Sequence, residues 1–232
     1  MGLPKITQTK TSVTLPSGKK IRIRPFVGSE EKALLMSKQS TQKGDRINAA
    51  MDVLSSCSDY DVSKFPMTDF EFLFMKAYEI SVSQTIDIGL RCRAKDCEEV
   101  LSASIPLDQI EVPKLEKKRC KIDVGLDENG DPVKLFIRIP TVGEALKVQD
   151  DENADVRLIF ECLEGVYVKD EKAEIDDFAE FEDWFMSQQD LYRKCTVFLN
   201  SIPRIEFVRD WECPSCKHQN HTVMRGFDSF FS

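Results

Sequence analysis

The chain has 232 residues, with 32 Lys and Arg against 40 Asp and Glu, a formal net charge of -8 and a pI near 5.0. That length can bury a full mixed core, so cysteine is not needed as a general staple. The acidic balance argues against general affinity for nucleic acid or an anionic membrane, and no run approaches the roughly 18 to 20 apolar residues of a membrane span.

The start, MGLPKITQTK, lacks the apolar region of a secretory signal, which points to a soluble protein made in the cytoplasm. Gly2 invites myristoylation, but Ile6 stands where that motif wants Ser or Thr. SVTLPSGKKIRIRPF then predicts a β-hairpin, with a strand over 12–15, Pro16-Ser17-Gly18 as the turn, and alternation through Lys20, Ile21, Arg22, Ile23 and Arg24. Its basic face, with Arg22 and Arg24, is a candidate surface for an acidic partner or simply a solvated strand face.

Three helices are expected next. SEEKALLMSKQS has Ser29 as N-cap, and KGDRINAAMDVLSSCS has Asp45 as cap, followed by Ile47, Ala50, Met51, Leu54 and Cys57 on one face. MTDFEFLFMKAYEIS opens with a capping box, Thr68 to Glu71, and carries Phe70, Leu73, Phe74 and Ala77 at helical spacing. Residues 83–112 change to strand period around the insert Arg93-Ala94-Lys95-Asp96. KIDVGLDENGDPVKLFIRIP is then a hairpin with Glu128 to Asp131 at its tip. That acidic tip lacks the twelve-residue ligand pattern and the flanking helices of a calcium loop.

Residues 141–203 return to helix. They carry a capping box at Thr141 to Glu144, an apolar stripe of Val156, Ile159, Phe160 and Leu163, and a short strand at 165–168. Phe178, Phe181 and Phe185 form the next stripe, and Leu191, Cys195, Phe198 and Leu199 the last, before Pro203. No internal repeat of solenoid length stands out. The order predicts one α+β domain over 1–232, in which β-hairpins alternate with helical segments, without the βαβ alternation of a nucleotide-binding sheet. Its sub-regions are an amino-terminal hairpin arm (1–28), a helical stretch (29–82), hairpins (83–140), a second helical stretch (141–203), and a last hairpin with an aromatic tail (204–232).

Eight cysteines in a cytosolic chain are weak evidence for disulfides, so spacing has to decide. Cys57, Cys162 and Cys195 fall in apolar helical patterns and Cys120 at a strand start, where Cys acts as a small hydrophobe. The other four are paired, Cys92 with Cys97 and Cys213 with Cys216, each pair at the tip of a predicted hairpin. Such a turn aims two thiolates at one point, and two knuckles face to face make a ribbon-like four-cysteine site for one structural Zn²⁺. The 115 residues between the pairs make the pattern less specific than a compact ribbon. Arg91, Arg93, Lys95 and Lys217 would offset its negative charge.

A compact site from Cys213, Cys216, His218 and His221 crowds four ligands into nine residues. A redox CxxC would sit at a helix start, whereas this one enters a strand. No nucleophile elbow, phosphate loop or HExxH motif is present, so a non-enzymatic binding or structural protein is expected. A zinc-ribbon nucleic-acid-binding regulator is the rival reading, opposed by the net charge. A zinc hydrolase needs an open coordination position, which four thiolates do not leave.

The LPSGK hairpin followed by IRPF and EEKALL, the run FLFMKAYEISVSQTIDI leading to the first cysteine pair, and the terminal CPSC followed by RGFDSFF together resemble the T4-type bacteriophage baseplate family. The resemblance spans nearly the whole chain. It implies a non-enzymatic hub subunit or hub assembly protein of a contractile tail. Such a protein joins other hub or tail proteins in a hetero-oligomeric assembly, with no nucleic acid or membrane partner. The expected location is the host cytoplasm during assembly, or the virion baseplate if the protein stays in the finished particle. Cys92, Cys97, Cys213 and Cys216 match positions where such sequences carry paired cysteines, whereas the acidic DDENAD and KDEKAEIDD depart from the pattern. Phe227, Phe230 and Phe231 either dock in the chain's own core or anchor a neighbouring subunit.

Overall fold

The computed structural model describes residues 7–40, 42, 44–169, 171–175 and 177–231. Gly2 and Ile6 lie outside them. The chain forms two compact units, one from residues 1–62, 68–114 and 204–232, the other from 63–67 and 115–203. Both mix helices with small antiparallel sheets. No helix among the described residues is long and apolar enough to cross a membrane.

The first unit opens with the predicted hairpin, β1 (Thr11–Thr14) and β2 (Lys20–Ile23), where Ile21 and Ile23 are buried and Lys20 and Arg22 exposed. Gly18 supplies the left-handed turn residue at φ +86°. The helices α1 (Gly28–Ser37), α2 (Asp45–Ser58) and α3 (Met67–Ser81) follow, with caps that depart from the expectation. Helix α1 starts after Val27, not Ser29, because the Glu30 carboxylate accepts the Val27 N–H at 2.8 Å. Helix α2 starts after Gly44 at φ +87°, which makes Asp45 its first residue. Helix α3 already includes Thr68, and the fully buried Glu71 is engaged elsewhere, so that capping box is corrected. Two hairpins complete the unit, β3 (Thr85–Arg91) with β4 (Val100–Pro106) and β9 (Glu206–Glu212) with β10 (Gln219–Arg225).

A short helix, α8 (Phe227–Phe231), ends the described chain. Its Phe227 lies 5.3 Å from Phe70 and 5.0 Å from Phe74, and Phe231 lies 4.7 Å from Phe74, measured between ring centroids. Phe227, Phe230 and Phe231 are all buried. Of the two readings of this tail, the structure places it in the unit's own core. Glu71 fastens the approach to it, accepting from Arg204 Nε at 2.6 Å, from the Ile205 N–H at 3.0 Å and from the Phe227 N–H at 2.9 Å. Gly226 is left-handed at φ +80°, and a Cβ there would meet the Arg204 guanidinium at 2.7 Å.

The second unit is built on a sheet ordered β5 (Arg119–Leu126), β6 (Pro132–Arg138), β7 (Leu163–Val168) and β8 (Glu171–Lys172), antiparallel throughout. The predicted hairpin of β5 and β6 is therefore extended by β7, which takes in the short strand expected at 165–168, and by the unexpected β8. Leu163 begins β7 and does not close the preceding helix. Helices α4 (Val142–Val148), α5 (Ala154–Glu161), α6 (Phe178–Ser187) and α7 (Leu191–Asn200) complete the unit. One apolar cluster joins Ile122, Leu135, Ile137 and Val166 of the sheet to Phe181, Phe185, Leu191 and Phe198 of α6 and α7. The Thr141 to Glu144 capping box forms as expected.

One local device recurs in both units. Arg24 holds Glu30, six residues on, through two bonds of 2.7 and 2.9 Å, and Arg138 holds Glu144 at 2.6 and 2.8 Å. The Arg24 N–H donates to the Cys57 carbonyl and its side chain to the Ser56 carbonyl; the Arg138 N–H donates to Cys162 and its side chain to Glu161. Arg24 directly follows β2 and Arg138 ends β6; in each case a proline follows within two residues and the glutamate caps the next helix.

Candidate metal centre

The four paired cysteines converge. The first pair lies in the turn between β3 and β4, where the Cys92 N–H donates to the Glu99 carbonyl at 2.9 Å and the Cys97 N–H to Ala94 at 3.2 Å. Asp96 takes the left-handed conformation there, φ +64°. The second pair sits between β9 and β10, with the Cys213 N–H donating to the His218 carbonyl at 2.9 Å and the Lys217 N–H to Cys213 at 2.9 Å. Lys217 is left-handed too, at φ +62°, an uncommon conformation for a side chain of its size. Reciprocal bonds between Glu111 and Glu206, 2.7 and 2.9 Å, tie the segment after β4 to the start of β9.

Cys92 Sγ lies 3.7 Å from Cys216 Sγ, and Cys97 Sγ 3.8 Å from Cys213 Sγ. All four sulfurs fall within 4.8 Å of one another. A tetrahedron with Zn–S bonds of about 2.3 Å has S···S edges of about 3.8 Å, while a disulfide would need about 2.05 Å. The donor set therefore fits a tetrahedral thiophilic ion and is too open for disulfides. Cys92 and Cys213 are buried, Cys97 is half-buried and Cys216 exposed, so the centre has a dry side and a solvent side.

Sequence reasoning missed Asn220. It is 4% exposed, its side-chain carbonyl accepts the Arg93 N–H at 2.9 Å, and its amide donates to the His218 carbonyl at 3.1 Å and to Cys92 Sγ at 3.6 Å. Each knuckle is thus tied to the other by one side chain. The available signal was position: Asn220 pairs with buried Trp211 on the inward face of β10, where an apolar residue would be ordinary. The histidine rings stay out of the cluster. His218 offers its main-chain carbonyl, and His221 Nδ1 lies 2.7 Å from Asp210 Oδ1 across the hairpin.

Crowding four sulfurs splits their titration. Desolvation opposes the Cys92 thiolate, yet donation from the Ala94 N–H, Asn220 and the neighbouring thiols prevails and lowers its pKa to about 7. The Glu99 N–H favours the Cys97 thiolate, but desolvation and the adjoining sulfurs push that thiol up to about 12. Four thiolates at this separation need a cation among them. Arg91, Arg93, Lys95 and Lys217 flank the cluster, all exposed. The remaining candidates lie elsewhere in this unit: Arg22 is exposed on β2, and Arg24 is engaged by Glu30.

The family model described as "T4 bacteriophage base plate protein" matches residues 7–232. The chain belongs to the T4 baseplate family. This match takes in both cysteine knuckles and reaches into both units of the chain. No curated protein and no solved structure matches it.

Proposed function

We propose that this baseplate-family chain is a non-enzymatic structural or assembly protein of the central hub of a contractile tail, with one structural Zn²⁺ held by Cys92, Cys97, Cys213 and Cys216. The observation that carries the reading is the convergence of four sulfurs from two hairpins 115 residues apart in a chain of this family. Closing such a loop with a metal makes binding free energy into folding free energy, which suits a small protein whose surfaces must stay rigid in an assembly. Four thiolates leave no position for substrate, so the ion's role is structural. The partners are other hub or tail proteins, with Arg22 as one partner-facing cation; the chain works in the host cytoplasm while the hub forms.

Purification of tagged full-length chain from infected cells is expected to bring hub or tail proteins in fixed ratio. Recovery of the chain free of every tail protein, or bound to nucleic acid instead, contradicts the assignment.

A further inference from the structure

The sheet of the second unit buries one face against α6 and α7, but its other face is open. Register places two rows on that open face. Lys121 pairs with Phe136 and Phe136 with Gly165; Asp123 pairs with Lys134, Lys134 with Tyr167 and Tyr167 with Lys172. The Phe136 and Tyr167 rings meet edge to face at 5.2 Å and 78°. Gly165 makes room for them: a Cβ there would meet the Tyr167 ring at 2.9 Å and the Lys172 stem at 2.7 Å. A cleft of about 420 Å³ opens over the rings, walled by Arg119, Lys121, Lys134 and Lys169.

Charge on this face opposes that of the chain. Glu164 satisfies Arg119 at 2.8 Å, Asp131 satisfies Lys169 at 2.8 Å, and Asp123 stands 3.9 Å from Lys121. Among the described residues, neither Lys134 nor Lys172 enters an ion pair. Two lysines without carboxylate partners among the described residues thus flank two half-buried aromatic rings, in a protein of net charge -8.

We infer that this face is a docking surface for an acidic segment of a partner protein, extended so that its carboxylates reach Lys134 and Lys172 while apolar side chains between them cover Phe136 and Tyr167. Protein fits better than nucleic acid. Asp123, Asp131 and Glu164 interrupt the cations and would repel a continuous phosphate track, whereas a peptide can place apolar groups opposite them. The inference goes beyond the hub assignment and is independent of the cysteine centre, which lies in the other unit.

The test is fluorescence anisotropy of a labelled peptide repeating Glu-Phe-Asp-Leu against the full-length protein, with a Lys-Phe-Lys-Leu peptide and oligo-dT as controls. The acidic peptide is expected to bind, to weaken as salt rises, and to lose at least about tenfold in affinity when Lys134→Glu and Lys172→Glu are combined. Tyr167→Ser should weaken it severalfold, and circular dichroism should show each variant folded. The acidic peptide failing to bind, binding the charge-reversed variant equally, or being outcompeted by oligo-dT each overturns the proposal.

Discussion

Arg138 and Glu144 form a two-pronged ion pair, and the same arginine closes onto the carbonyls of Ile139 and Glu161. One guanidinium therefore fixes the end of β6, the cap of α4 and the end of α5. Arg24 does the same for β2, α1 and α2. Replacing either arginine with Ala leaves a half-buried glutamate and several carbonyls without their donor. A loss of about 2 kcal/mol is expected for each, measured by urea unfolding, because neither pair is fully shielded from solvent.

These pairs also set an acid dependence. The Arg24 hydrogen bond holds Glu30 below its ordinary value of 4.5, and the Arg138 pair holds Glu144 below the same value despite desolvation. A carboxylate with a depressed folded pKa contributes fully above its unfolded value and loses that contribution as pH falls through the folded one. Stability should therefore decline as pH drops below about 4.5. Glu30→Gln and Glu144→Gln should be less stable at pH 7 and show a shallower decline; an unchanged slope in both contradicts the assignment.

Glu71 is a second keystone. Its carboxylate is fully buried and serves Arg204, Ile205 and Phe227, so Glu71→Ala strands an arginine and two main-chain donors. A destabilisation of about 3 to 5 kcal/mol is expected by chemical denaturation. Gly226→Ala should cost about 1 to 3 kcal/mol through its left-handed backbone and the nearby guanidinium.

Cysteine reactivity separates the two thiol classes. Burial pushes the thiols of Cys57, Cys162 and Cys195 up to about 12, and burial also raises that of half-exposed Cys120. Native, metal-loaded protein treated with iodoacetamide at pH 8 should be modified slowly at Cys120 and spared at the other seven cysteines. A chelator should add Cys92, Cys97, Cys213 and Cys216 to the modified set, read by peptide mass mapping. Fast modification of Cys216 before chelation contradicts a metal-bound thiolate.

Asn220→Ala removes the side chain that orients Cys92 and ties the two knuckles. Metal affinity should fall by about tenfold or more, measured by competition with a chromophoric chelator. His221→Ala should leave it unchanged, since that ring faces Asp210.

Most of the elements were legible because their periods are clean, from the alternating Ile21 and Ile23 to the stripe of Phe181 and Phe185. The paired cysteines were legible for a different reason: short spacing inside a hairpin turn has few uses besides metal. What sequence hid were relationships across distance. Glu71 followed Thr68 with the spacing of a capping box, but its partner stands 133 residues away and leaves no local trace. The two arginine clamps share an Ile-Arg step and a Glu six residues on, but the proline and the Val-Gly step between them sit at offsets that differ by one, too little to mark a repeat. Strands β7 and β8 were partly lost because Leu163 continues the apolar helical stripe of α5. Asn220 looks like an ordinary strand residue until its partner Arg93 is brought beside it.

The most direct measurement is the zinc content of purified full-length protein, beside that of Cys92→Ser and Cys195→Ser. The four-cysteine centre predicts about one zinc per chain in the wild type and in Cys195→Ser, with loss of metal and a lower unfolding midpoint in Cys92→Ser. Wild-type protein without zinc, or Cys92→Ser protein with undiminished zinc, would contradict it.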